Sequence, residues 1–226
     1  MTTRPWIAAL ALSLCLLPAQ GSSVRPLTLG ELCAHAATIQ RVRVRSATSA
    51  WGDHLGQRAI VTTLELDLLE LVAGAPVQRL QVFGGQVGPE RMALSGQPEL
   101  GPGDELLLFL HGQPTYCPYL GLWQGVFRLG PAGASSAGRS VLDVSRLGQL
   151  HWVRDNEPPL PVPDFLAEVR RLRAEIDARR AEWEAAGVEL EPGEAELLEQ
   201  ALPSGPSQGS QPLKKAQPLE QAGEPR

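Results

Sequence analysis

Four side chains have the types that could act on a covalent bond or hold a metal: Cys33 with His35, and His111 with Cys117. A thiol nucleophile needs an imidazole within hydrogen-bond reach, and for Cys117 that base is either His111 or His35. The same four residues are zinc-ligand types, but neither spacing matches a common zinc motif. The third chemistry open to Cys117 is a disulfide with Cys33, and the N-terminus favours it. Arg4 is followed by the apolar run IAALALSLCLL, Ile7 to Leu17, and then by Pro18 and small residues to Ser23. This is the pattern of a signal peptide cleaved after Gly21, and the run is well short of the roughly 20 residues that span a bilayer. The bulky Leu14 before Cys15 disfavours lipidation there. Cleavage removes Cys15, and the two cysteines that remain are expected to pair in the oxidising periplasm or medium.

Two further groups could carry recognition. Arg41, Arg43 and Arg45 stand at two-residue spacing, so their guanidinium groups share one face of a strand and could follow an anionic polymer. The competing expectation is that Glu65 and Asp67 on the next strand neutralise them across the ladder. The aromatic residues Trp51, Tyr116, Tyr119 and Trp123 come from two loops and either form a binding patch or cap the core. No other motif rises to a site. GGQVG, Gly84 to Gly88, lacks the Lys-Ser/Thr of a nucleotide loop and reads as glycines needed for positive φ. Ser95 has no Gly-x-Ser-x-Gly elbow. His54 and His151 sit beside tryptophans as packing or surface residues, and Asp104 and Glu105 point to opposite faces of a strand. No cofactor and no metal ligand set is expected.

The net charge of −5 hides a division. Residues 24–155 carry eleven basic and eleven acidic side chains, whereas residues 156–226 carry eight and fourteen. Neither part has the basic excess of a nucleic-acid binder.

These residues must be positioned by strands. IQRVRVR, Ile39 to Arg45, alternates as a half-buried strand does. WGDHLGQR, Trp51 to Arg58, reads as a loop. IVTTLELDLLELV continues as a second strand with a bulge at the paired Leu68 and Leu69. VQRLQVF ends a third strand at Phe83. Residues 84–103 hold six glycines and three prolines, too many for a helix, and form a long ordered loop. DELLLFLH, Asp104 to His111, does not alternate, as expected for a central strand covered on both faces. LWQGVFRL gives a fifth strand in which Gly125 marks a bend or close backbone approach, and Ser140 to Leu147 gives a short edge strand. After the stiff connector EPPLPVPD, with Asp164 as N-cap, the apolar positions Phe165, Val169, Leu172, Ile176 and Trp183 make a helical stripe to about Ala186. A short acidic helix from Pro192 to Leu202 and a tail unable to bury enough apolar surface to order complete the chain.

The stretches RAIVTTLELDLLELVAGAPVQRLQVFGGQVG, LSGQPELGPGDELLLFLHG and YLGLWQGVFRL resemble an uncharacterised group of exported bacterial proteins, in which a Gly-(Asp/Glu)-x-x-Leu-x-Phe-Leu strand and a Gln-Gly-x-Phe strand follow a Gly-Gly loop. More loosely, the strand order and a disulfide from near the N-terminus are similar to netrin-type modules, OB-like barrels also found in tissue inhibitors of metalloproteinases. In those inhibitors the first cysteine begins the mature chain, whereas Cys33 lies inside it, so their metal-binding mechanism is not implied.

The expectation is a mainly β protein: a small five- to six-stranded OB-like or netrin-like barrel over residues 22–155, with residues 1–21 as signal peptide. A Pro-rich connector at 156–164, an amphipathic helical extension at 165–202 and a disordered tail at 203–226 follow. The expected function is an exported, non-catalytic binding module for another exported protein such as a protease, without nucleic acid or a membrane span. The alternative is a metal-dependent or thiol hydrolase with its site near Cys117.

Overall fold

The computed structural model describes residues 25–113, 115, 117–154 and 157–186. The signal segment, Tyr116 and everything from residue 187, including the expected acidic helix and tail, lie outside the described residues. The fold is mainly β, with a large antiparallel sheet and two helices. Helix α1 is Leu29–His35 and α2 is Val162–Ala185. The strands are β1 Thr38–His54, β2 Gln57–Ala73, β3 Arg79–Phe83, β4 Gly85–Val87, β5 Glu90–Met92, β6 Glu105–Leu110, β7 Val126–Gly130, β8 Gly133–Ser136, β9 Arg139–Val144 and β10 Leu150–Trp152. Eight of them form one sheet in the order β10-β9-β8-β7-β6-β1-β2-β3, and β4 pairs with β5 alone.

The expected closed barrel is not found. The sheet ends at β3 on one side and β10 on the other. One reason is that residues 131–152, expected to supply one edge strand, add a meander of three. The other is that α1 and α2 pack on one face of the sheet and bury it without closure.

Strand β6 lies between β1 and β7, and its five residues Leu106 to Leu110 are all buried. Successive side chains of a strand point to opposite faces, so β6 feeds two cores. Leu107 and Phe109 join α1, α2, Phe127 and Val141 on the helix face. Leu106, Leu108 and Leu110 join Val42, Val44, Leu64, Leu66, Val82, Cys117 and Tyr119 on the other, the loop face.

The segment read as a loop at Trp51 to Arg58 is instead the tip of a long β1–β2 hairpin. Leu55 and Gly56 both have positive φ, 53° and 80°, as a two-residue type I′ turn requires. The bulge falls where the leucine pair places it: Arg41 faces Glu70 and Val42 faces Leu68, leaving Leu69 as the extra residue. Gly125 is a close approach, since a β-carbon there would lie 2.8 Å from both the Leu120 nitrogen and oxygen.

Helix α1 is set by a capping box in which the Glu31 amide donates to Thr28 Oγ1 (3.0 Å) and the Thr28 amide to Glu31 Oε2 (2.5 Å). Helix α2 starts earlier than expected: Pro161 is the N-cap, and Asp164 sits in the first turn with no side-chain capping bond. Its stripe docks on the sheet, with Phe165, Leu166, Val169, Leu172 and Ile176 all buried, each worth about 1.5–3 kcal/mol of transfer free energy. Arg170 anchors it bidentately to Glu70 of β2 at 2.7 and 2.9 Å. Arg173 donates to the carbonyls of Cys33 and Ala36 at 3.0 and 3.1 Å, meeting the orphan acceptors at the end of α1. Among the described residues no helix is long and apolar enough to cross a membrane.

Candidate functional site

The two cysteines are free and buried, so the expected disulfide is absent from the structure. Cys33 belongs to the helix-face core and Cys117 to the loop-face core, and the sheet lies between them. A disulfide needs α-carbons within about 7 Å, which a strand layer between the two does not allow. Cys33 Sγ instead donates to the Val169 carbonyl of α2 at 3.9 Å, and burial pushes its thiol up to about 12. Cys117 Sγ donates to the Leu122 carbonyl at 3.9 Å. Burial raises its thiol too, against a smaller lowering from the Tyr119 backbone. An activated thiol has a depressed pKa and partial exposure, and Cys117 has neither.

The arginine row is tied into ion pairs. Arg41 and Arg43 share Glu105 of β6, at 2.5 and 3.2 Å, and Arg45 meets Glu65 at 3.6 Å and Asp67 at 3.4 Å. Burial raises the Glu105 carboxyl, but hydrogen bonds and charge from Arg41 and Arg43 outweigh it and hold the group below the usual range.

The three described members of the aromatic set, Trp51, Tyr119 and Trp123, do not assemble into one patch. Tyr119 is 1% exposed in the loop-face core, and its hydroxyl has no hydrogen-bond partner among the described residues. Trp51 sits near the hairpin tip with the Arg58 guanidinium 4.9 Å over its ring. Tyr116 lies outside the described residues. Trp123 alone lines a cleft, and its companion there is Trp152, which the sequence reading passed over as a neighbour of His151.

That cleft has a volume of about 350 Å³. Its floor is Phe127, fully buried, with Phe109 edge-on to it at 5.8 Å and Phe165 tilted against it at 4.9 Å. Trp123 and Trp152 line it with Leu27 and Leu150, and Gln124, Gln149, His151 and Arg139 supply the polar groups. The Arg139 guanidinium stands 4.3 Å over the Trp152 ring, a cation–π contact that orients its remaining donors. Gln124 holds the N-terminal wall in place: its Oε1 accepts from the Leu27 amide at 2.6 Å and its Nε2 donates to the Arg25 carbonyl at 3.0 Å. Trp123 lies so close to Gly96 that no β-carbon fits there. The hydroxyl of the buried Ser136 donates to the Trp123 carbonyl at 3.2 Å. Two indoles, an amide pair and one fixed cation can grip an apolar or flat group beside an anionic one. None of the described lining residues is a carboxylate, and His151 is the one imidazole among them.

Comparison with known protein families and with curated proteins finds no match for this chain.

Proposed function

We propose that the protein is an exported, non-catalytic binding module that recognises another exported protein through the Trp123–Trp152 cleft. The observation that carries this reading is the pair of indoles over an aromatic floor, with Arg139 held beside them. A volume of about 350 Å³ is at the small end of ligand pockets and suits one large side chain of a partner, with an acidic neighbour meeting Arg139. Tryptophan and arginine are the residues in which binding energy concentrates at interfaces. The likeness to netrin-type modules, applied to the β1–β3 and β6–β7 part of the sheet, makes an exported protease the first partner to try.

The test is affinity capture from the exported fraction, followed by titration of the purified partner. Trp152→Ala should weaken its binding by about 30-fold or more, as loss of a buried hot-spot indole does. Trp51→Ala, away from the cleft, should leave it unchanged. A partner that binds Trp152→Ala as tightly as the native chain overturns the proposal.

A further inference from the structure

A second cavity, of about 370 Å³, lies on the loop face between β1–β3 and the glycine-rich segment that follows Phe83. Its walls are apolar, from Leu64, Val82, Leu94 and Leu100. Its polar groups are unusual in sign. Thr62 Oγ1 donates its one hydrogen to the Gly84 carbonyl at 2.7 Å. Ser49 Oγ, 2.8 Å from Thr62 Oγ1, must therefore donate its own hydrogen to Thr62. The Ser49 oxygen is left with acceptor lone pairs only.

Gln97 adds a second acceptor. Its Nε2 donates to the Phe83 carbonyl at 3.0 Å, which fixes the orientation of the amide, and its Oε1 is buried with no hydrogen-bond partner among the described residues. The charged residues at the mouth, Arg91 and Glu99, are paired with each other. Gly84 and Gly85 have φ of 94° and 131°, and a β-carbon at Gly85 would strike both the Ser49 and Thr62 hydroxyls. The glycines of GGQVG thus serve positive φ, as their composition predicts, and also let the backbone close over the hydroxyl pair.

We infer that this cavity is a second binding site, distinct from the tryptophan cleft, for a small neutral ligand with an apolar body and a hydrogen-bond donor head of the primary-amide class. Acceptors that a bound ligand covers select a donor-bearing ligand over its isostere, because the isostere leaves them unpaired.

The test uses the full chain and two probes of equal heavy-atom number, pentanamide and methyl butanoate, titrated by protein-observed NMR. Pentanamide should bind at least about fivefold more tightly than the ester, which has no donor. Ser49→Ala, which keeps the Thr62 bond to Gly84 and loses only the Ser49–Thr62 bond, should weaken pentanamide at least about threefold while the chain stays folded with at most a small fall in Tm, and Trp152→Ala should leave pentanamide binding unchanged. Equal binding of ester and amide, or an unaltered affinity in Ser49→Ala, overturns the site. So does binding of neither probe, which would assign the two acceptors to an ordered water only.

Discussion

On the helix face the polar groups that reach the interior are met: Arg173 takes the carbonyls at the end of α1, and the Cys33 thiol reaches the Val169 carbonyl. On the loop face the Tyr119 hydroxyl and Gln97 Oε1 are buried without a hydrogen-bond partner among the described residues, and a cavity remains. The difference follows from what covers each face. A helix satisfies its own interior backbone and presents a continuous apolar stripe, so the area it covers closes densely, and the tryptophan cleft beside that same core is lined by no residue of α1 or α2. A Gly/Pro-rich loop brings bare carbonyls inward, and side chains must bond them and the strand end that leads into it: Thr62 to Gly84 and Gln97 to Phe83. Side chains committed in this way cannot also fill space.

The contrast is tested hardest by truncating one residue from each face. Phe165→Ala removes the fully buried ring that packs against Phe127, and urea denaturation should show a loss of about 3–5 kcal/mol. Tyr119→Phe should do the opposite. It deletes a buried hydroxyl without a partner, so stability should hold or rise by up to about 1 kcal/mol. A loss of more than about 1 kcal/mol there would show that the hydroxyl is satisfied and that the two faces are alike.

The thiols sharpen the same comparison through pH. Cys33 is raised from 9.0 to about 12 in the folded chain, so the protonated thiol is the form that folding favours. Its contribution is complete below the unfolded thiol pKa and is lost as pH rises toward the folded value. Urea midpoints should therefore fall above pH 9, and Cys33→Ala should flatten that decline. The smallest effect belongs to the surface. Glu105→Gln should cost about 0.5–1 kcal/mol, less at high salt. Because Arg41 and Arg43 hold the Glu105 carboxyl low, that contribution is present above the unfolded carboxylate pKa and disappears as pH falls through the folded one.

What was legible in the sequence was whatever left a periodic mark. The unbroken apolar run of β6 announced a strand buried on both sides, the Leu68–Leu69 pair announced the bulge, and the stripe from Phe165 to Ile176 announced α2. The misses have physical causes. Thr28 and Glu31 carry a capping box, but α1 is only seven residues long, too short for a period to show. The β1–β2 turn uses Leu55 at φ 53°, where the usual Asn-Gly signal is lacking. Strands β8 and β10 span four and three residues, and without them nothing brings Trp152 to Trp123. The disulfide was inferred from compartment and count, which say nothing about the side of a sheet on which each sulfur falls.

The measurement that bears most directly on this two-faced architecture is alkylation of the chain under non-reducing conditions, with the modified peptides mapped by mass spectrometry. In the native state Cys33 and Cys117 should resist labelling, since both are buried and their thiols are raised. After denaturation without reductant, each should take one label. A peptide linking Cys33 to Cys117, with neither labelled until reductant is added, would place both sulfurs on one side of the sheet and contradict the account.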